Sequence, residues 1–153
     1  MISQRTKYAL KALMTLADAA RTDQPALTIE EIARRSATPK RFLEHILLDL
    51  RNIGLIRSKR GRAGGYMLIK EPRTVPIGEL LRQMDGPIAP LPCLSRSAYQ
   101  PCEDCTDEAS CRIRRMFGQV YWSYLLLIES LTLADLTDSV DVIDRLSVPV
   151  PGE

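Results

Sequence analysis

Apolar side chains recur at helical spacing in three stretches of the first half of the chain. The first runs from about Ser3 to Arg21, the second from Thr28 to near Ser36, and the third from Pro39 to about Asn52. Spacings of three and four residues place such side chains on one face of a helix, so each stretch predicts a helix with one buried side. In the third stretch the predicted buried face is Leu43, Ile46, Leu47 and Leu50.

Residue types at the ends of these stretches indicate where each helix begins and ends. Thr28 can cap the first turn of the second helix, where Glu30 and Glu31 suit the positive end of the helix dipole. Pro39 fits the first position of the third helix, where its missing N–H costs nothing, and Gly54 is the expected C-cap. Two helices joined by so short a turn are typical of a helix-turn-helix.

A basic, glycine-rich hairpin is predicted directly after the third helix. One strand starts at Leu55, three glycines between residues 61 and 65 turn the chain, and a second strand returns through Tyr66 to Leu68. A helix-turn-helix followed by such a hairpin is a winged helix-turn-helix, which we assign to residues 1–71. The predicted fold class is therefore mainly α, with a small β-hairpin wing.

The second half of the chain predicts a connector, an irregular loop and a long helix. A short helix is expected from Ile77 to Met84, and closely spaced prolines then keep Ile88 to about Ser110 from forming a regular helix. From Arg112 onward, apolar residues repeat at spacings of four and three, which is a heptad seam typical of helix pairing or of a covered core. The seam residues are Ile113, Phe117, Val120, Tyr124, Leu127 and Leu131.

These patterns divide the chain into four segments. After the winged domain we predict a connector helix and cysteine loop at 72–111, a long dimerisation helix at 112–137 and a tail at 138–153. Pairing of the long helix would give a homodimer, which presents two recognition helices to half-sites about 34 Å apart or a multiple of that distance.

Charge is concentrated in the predicted helix-turn-helix and wing. From Arg34 to Arg73 there are eleven Lys or Arg and three acids, a net charge of +8, whereas the whole chain carries +2. So uneven a distribution favours a face that binds double-stranded DNA over an ordinary solvated basic surface. The candidate DNA contacts are Thr28, Lys40, Arg41, Glu44, Arg57, Lys59, Arg60, Gly61, Arg62, Gly65 and Tyr66.

Length and composition indicate a soluble protein. At 153 residues the chain can bury a core without disulfides, and it has no run of about 18 apolar residues and no apolar signal core. We therefore expect a cytoplasmic protein with no membrane partner. Cysteines in such a protein are more often thiols or metal ligands than structural disulfides.

All four cysteines fall within nineteen residues of the irregular loop: Cys93, Cys102, Cys105 and Cys111. Crowded thiolates on a loop suit an iron–sulfur cluster, a zinc ion or a dithiol switch, and the spacing alone leaves these open. The single histidine, His45, lies on the predicted recognition helix, so we interpret it as a residue of the DNA side or the surface rather than a ligand.

Five motifs spread over the chain point together to a known family. They are Lys7-Tyr8-Ala9-Leu10, Leu27 to Ala33, Phe42-Leu43-Glu44, Arg60-Gly61-Arg62-Ala63-Gly64-Gly65-Tyr66 and Thr132-Leu133-Ala134-Asp135-Leu136. With these motifs the chain resembles, over nearly its whole length, the Rrf (type two) family of winged-helix transcriptional regulators, which includes the IscR and NsrR types. The resemblance implies a DNA-binding regulator in which three cysteines before the dimerisation helix hold an iron–sulfur cluster, and Cys93, Cys105 and Cys111 match that trio.

The fourth ligand departs from both types. Arg114 stands where the IscR type has a histidine, and Lys7 stands where the NsrR type has an aspartate. Cys102 is therefore the candidate fourth ligand, and the cluster type, 2Fe–2S or 4Fe–4S, stays open.

The sequence thus predicts a homodimeric regulator, acting as a repressor on palindromic operators, whose cluster responds to redox state, iron or nitric oxide. The same DNA-binding protein with zinc or a thiol/disulfide switch is the first alternative. An iron–sulfur electron carrier is disfavoured, because the sequence has no glycine motif for phosphates and no general base beside the cysteines. No enzyme activity is expected.

Overall fold

A computed structural model describes residues 2–61 and 63–138 of the chain. The predicted phosphate contact Arg62 and all of the predicted tail after residue 138 lie outside the described residues. Turns of 3₁₀ helix occur at Pro72–Thr74 and Pro92–Leu94. The helices and strands are α1 (Gln4–Ala20), α2 (Ile29–Ser36), α3 (Lys40–Asn52), β1 (Ile56–Lys59), β2 (Gly65–Leu68), α4 (Ile77–Asp85), α5 (Arg112–Ser130) and α6 (Leu133–Thr137).

The mainly α fold with one hairpin is confirmed, and the helix-turn-helix is formed by α2 and α3. Thr28 caps α2 in a reciprocal arrangement: its hydroxyl accepts from Glu31 N–H at 3.3 Å, and its own N–H donates to the Glu31 carboxylate at 2.8 Å. Ala37, in a left-handed conformation at φ 48°, ends the helix.

Two predicted boundaries of α3 were wrong by one residue. Pro39 is the N-cap and not the first helical residue, because its ψ of 129° is extended. Gly54 lies one position beyond the C-cap Ile53, with φ 75°. Its N–H donates to Arg51 O and the next N–H donates to Leu50 O, both at 3.0 Å, which is the usual left-handed helix ending.

The main core lies between α1 and the helix-turn-helix. The predicted buried face of α3 is confirmed, since Leu43, Ile46, Leu47 and Leu50 are at most 2% exposed. Along α1 the buried apolar residues are Ala9, Ala12, Leu13, Leu16, Ala17 and Ala19. Each fully buried leucine contributes about 1.5–3 kcal/mol, so this face holds α3 firmly against its support.

The wing is an antiparallel pair in which Ile56 lies opposite Leu68 and Lys59 lies opposite Gly65. It is joined to the segment before α2 by an isolated bridge. Leu27 N–H donates to Tyr66 O at 2.9 Å and Tyr66 N–H donates to Leu27 O at 2.7 Å. The hairpin and the helix-turn-helix are therefore fixed relative to each other by backbone hydrogen bonds.

The predicted helix at 112–137 is two helices, because the chain is extended at Leu131. There Ile77 N–H donates to Leu131 O and Leu133 N–H donates to Val75 O, both at 2.9 Å. Leu133, at the start of α6, is fully buried in the main core. The C-terminal end of α5 is thus anchored to the DNA-binding domain.

A second, smaller core forms where the cysteine loop meets α5. Cys93 and Leu94 of the loop pack there against Tyr121 and Leu125 of α5. Within residues 2–61 and 63–138, no helix combines the length and the apolar character needed to cross a bilayer.

Candidate functional site

The exposed face of α3 carries the predicted DNA-contacting side chains. Lys40, Arg41 and Glu44 all lie at the surface near the N-terminal end of the helix. Lys40 donates to the Glu30 carboxylate of α2, and this hydrogen bond raises the pKa of Lys40 and lowers the pKa of Glu30. Both groups are fully exposed, so the pair is readily exchanged for a contact with a phosphate.

An aromatic contact that the sequence did not reveal braces the start of α3. The Phe42 ring lies 5.6 Å from the ring of Tyr8 in α1, centroid to centroid, and the Arg41 guanidinium lies 4.8 Å from the Phe42 centroid. These contacts fix the first turn of α3 against α1. The two aromatic residues were visible in the sequence, but their pairing is a tertiary contact.

The predicted basic side chains of the wing are exposed on β1 and its turn. Arg57 donates through Nε to Met67 Sδ at 3.2 Å, across the strand pair. Lys59, Arg60 and Gly61 continue to the tip of the hairpin without burial. The positively charged side chains Arg57, Lys59 and Arg60 are therefore exposed to solvent beside α3.

Three of the predicted contact residues have structural partners. Gly65 lies so close to Leu27 that a Cβ built on it would be 2.4 Å from Leu27 O. Tyr66 is half-buried and forms the bridge to Leu27, and the Thr28 hydroxyl is engaged in the cap of α2. Their contact with DNA stays a prediction, while their role in positioning the wing and α2 is evident.

The fold brings the four cysteines into one region, all as free thiols. Cys93 is buried, Cys105 and Cys111 are partly buried, and Cys102 is exposed. Loss of hydration and then the neighbouring Cys93 raise the pKa of Cys102. Loss of hydration and then Cys111 raise the pKa of Cys105.

Arg114 contacts two of the four cysteines, a role that the sequence did not reveal. Its Nη2 donates to Cys93 O at 3.3 Å, and its Nε lies 3.4 Å from the Glu108 carboxylate, which also accepts from the Tyr99 hydroxyl. Its backbone N–H donates to Cys111 Sγ at 3.4 Å, so a cysteine sulfur caps α5. A change in the oxidation or ligation state of Cys111 would therefore alter the N-terminal cap of α5.

A family model described as "Rrf2: Iron-dependent Transcriptional regulator" matches residues 2–139. The chain belongs to the Rrf2 family of transcriptional regulators. Members of this family bind DNA, and neither the relatives nor the structural neighbours are enzymes.

Relatives and solved structures agree with this assignment to the Rrf2 family. The chain is 72% identical to an rrf2-like HTH-type regulator of Rhodobacter capsulatus over 137 residues, 89% of this chain and 91% of that protein. It is 31% identical to CymR of Bacillus subtilis over 140 residues, 92% of this chain and 91% of that one. The structure of B. subtilis CymR matches with a TM-score of 0.72 at 28% identity, covering 92% of this chain and 98% of that one.

The structure of T. potens IscR has the same fold, with a TM-score of 0.69 at 23% identity, covering 99% of this chain and 93% of that one.

The donor set of this Rrf2 protein fits an iron–sulfur cluster by its chemistry. Four thiols lie in one partly desolvated loop, and such clusters are held by cysteine thiolates. Across the described ranges, no three His, Cys, Asp or Glu side chains surround one point closely enough to hold a single metal ion.

Proposed function

We propose that this Rrf2 protein is a homodimeric repressor of palindromic operators whose DNA affinity is set by an iron–sulfur cluster in the cysteine loop. Cys93, Cys105 and Cys111 would hold the cluster, with Cys102 as the fourth ligand. The observation that carries the proposal is the position of α5, which begins at the cysteine loop and ends anchored in the DNA-binding domain.

DNA recognition is assigned to the exposed face of α3 and to the wing. The N-terminal part of α3 would enter the major groove, where Glu44 can accept only from a base donor such as cytosine N4. Arg60 would border the minor groove, and Lys40, Arg57 and Lys59 would contact phosphates. The exposure of these side chains and the rigid attachment of the wing support this arrangement.

Dimerisation is assigned to the seam of α5. Ile113 is 60% exposed and Val120 is 65% exposed, while Phe117, Tyr124 and Leu127 lie at the surface with them. A continuous apolar side of this kind on an otherwise well-packed protein is typical of an interface. A two-fold dimer through α5 would present both α3 helices to one face of the DNA.

The cysteine loop is mechanically coupled to this dimer helix. Cys93 packs in the second core against Tyr121 and Leu125, and Cys111 caps the first turn of α5. A bound cluster would supply a redox-active group that can also be lost. A change in the loop would shift α5 and, through α6 in the main core, the spacing of the two recognition helices.

One contact favours a second candidate, a dithiol switch. Cys93 lies close enough to Cys102 to raise the pKa of its thiol, so these two cysteines are neighbours that oxidation would join. Oxidation by hydrogen peroxide would form the S–S bond: the thiols give up two electrons and two protons, and the peroxide is reduced to two waters. CymR, a related protein, is described as the global cysteine regulator of B. subtilis.

Single alanine variants of the four cysteines distinguish the two candidates. Full-length protein is purified without oxygen, and visible absorbance, iron and zinc are measured. Cys93→Ala, Cys105→Ala and Cys111→Ala are expected to lose iron and colour, whereas Thr106→Ala in the same loop is the control that keeps both. Loss in Cys102→Ala equal to that of the trio would make it a four-cysteine site.

A stable cluster in Cys102→Ala would mean that the fourth ligand lies elsewhere. Colourless wild-type protein with free thiols would contradict the cluster proposal. A Cys93–Cys102 disulfide that forms with peroxide would then support the second candidate.

A further inference from the structure

A polar cleft of about 360 Å³ lies between α4, the segment after Cys93 and α5. Its charged and hydroxyl-bearing walls are Arg82, Ser95, Arg96, Tyr121 and Glu129, and its apolar wall includes Leu125. The volume is at the lower end of the range for small-molecule sites. The cleft involves none of the residues assigned to DNA, to the α5 seam or to the cluster.

The charge in the cleft is unbalanced in favour of cations. Arg82 and Glu129 form a two-pronged ion pair between α4 and α5, and the hydrogen bond from Arg82 lowers the pKa of Glu129. Arg96 is exposed and forms no ion pair or hydrogen bond in the described part of the chain, and its guanidinium carbon lies 5.9 Å from the Trp122 ring centroid. Its charge also lowers the pKa of Glu129, so two guanidinium groups share one carboxylate.

The hydroxyl groups in the cleft are hydrogen-bond donors without acceptors. Ser95 is buried, and its Oγ accepts from Ala98 N–H at 3.0 Å but donates to no group between residues 2 and 138 that the structure describes. Tyr121 is 5% exposed as a whole residue, and its hydroxyl, which donates to none of the described residues, opens into the cleft. Burial raises the pKa of Tyr121, so the hydroxyl stays protonated and able to donate.

Two hydroxyl donors, together with one guanidinium in excess over the single carboxylate, suit an anionic ligand. A guanidinium binds a carboxylate in its own plane through two parallel hydrogen bonds. We infer that the cleft binds a small carboxylate with a short apolar chain, held by Arg96, Ser95 and Tyr121 at its charged end and by Leu125 along its chain. This binding site goes beyond the proposed function and does not depend on the cluster.

A ligand here would act on the same segment that carries Cys93. Ser95 and Arg96 follow that cysteine directly, whereas Tyr121 belongs to α5. A carboxylate that joins them would hold the cysteine loop against α5. Two signals would then act on α5, one through the cysteine thiols and one through the bound carboxylate.

Trp122, the chain's only tryptophan, lies beside Arg96 and reports the binding directly. Full-length protein is titrated with sodium butyrate at an ionic strength kept constant with sodium chloride, and tryptophan fluorescence is recorded. Butyramide, which has the same shape without the charge, is titrated in parallel. We expect a saturable change with butyrate, half-complete at about 1–10 mM, as is usual for so small a ligand, and none with butyramide.

Variants test whether the response comes from the cleft. Arg96→Gln removes the charge and should weaken butyrate binding by about tenfold or more, and Tyr121→Phe should weaken it less. Arg115→Ala removes a charge from the exposed first turns of the same helix and should leave the response unchanged. Circular dichroism checks that each variant is folded, and a thermal shift with butyrate gives a second readout if the fluorescence of Arg96→Gln itself changes.

Equal responses to butyrate and butyramide would overturn the inference. An unchanged butyrate response in Arg96→Gln would also overturn it, and so would the absence of any response up to about 50 mM butyrate. None of these results bears on whether the cysteine loop holds a cluster.

Discussion

The wing is held against the helix-turn-helix by a close approach of two backbone segments, at Gly65 and Leu27. A Cβ at position 65 would lie 2.4 Å from Leu27 O and 2.5 Å from Leu27 C, and the φ of +147° favours glycine. Gly65→Ala must therefore separate the segments. The strained backbone costs about 1–3 kcal/mol, and the two hydrogen bonds of the Leu27–Tyr66 bridge contribute about 1 kcal/mol each.

We expect Gly65→Ala to lower the free energy of unfolding by about 2–4 kcal/mol, allowing for some relaxation of the hairpin. Because the wing then leaves its position beside α3, affinity for DNA should fall by at least about tenfold, the equivalent of one wing contact per protomer. Urea denaturation gives the first quantity, and fluorescence anisotropy with labelled duplex DNA gives the second.

Gly54→Ala is the matched control for this experiment. Gly54 also has a positive φ, of +75°, but no atom lies within 4 Å of the position that a Cβ would take there. The Gly54→Ala variant should lose only about 1–2 kcal/mol of its free energy of unfolding, because alanine is strained in the left-handed conformation. Its affinity for DNA should stay the same. If Gly65→Ala behaved like Gly54→Ala in both measurements, the reasoning from the close approach would be refuted.

Three further predictions concern recognition and assembly. Glu44→Ala should relax the preference at one base pair per half-site while non-specific affinity holds or rises, and equal weakening on all sequences would make Glu44 structural. Lys59→Ala should make the slope of log affinity against log salt shallower by about one per protomer, and an unchanged slope would place Lys59 away from DNA. In sedimentation the unmodified protein should be a dimer and Val120→Glu a monomer with unchanged helix content, whereas Gln119→Glu, which adds the same charge beside the seam, should be a dimer. A dimeric Val120→Glu would show that the seam is not the interface.

Local patterns in the sequence predicted most elements of the fold, although they did not separate α6 from α5. The spacing of Leu43, Ile46, Leu47 and Leu50 identified the buried face of α3, because burial of a helix face follows directly from its periodicity. Boundaries were less accurate: the sequence placed Pro39 at the first position of α3, whereas its extended ψ makes it the N-cap.

Features that depend on distant parts of the chain could not be predicted. The approach of Gly65 to Leu27, the contact of Phe42 with Tyr8 and the return of Leu133 to the main core each join segments far apart in sequence. The same holds for the cleft at Arg96, whose walls come from three separate segments. The heptad spacing of the α5 seam was likewise compatible with helix pairing and with a covered core. The exposure of the seam residues in the structure favours helix pairing.

The central claim, that the state of the cysteine loop sets DNA affinity, is tested most directly by one binding measurement. A duplex selected by the protein from a random pool is labelled, and its anisotropy is measured without oxygen against the protein with its cluster and against the same preparation after iron is removed. The account predicts at least about a tenfold difference in affinity for the selected duplex, with little difference for an unrelated duplex. Equal affinities of the two forms for the selected duplex would contradict it.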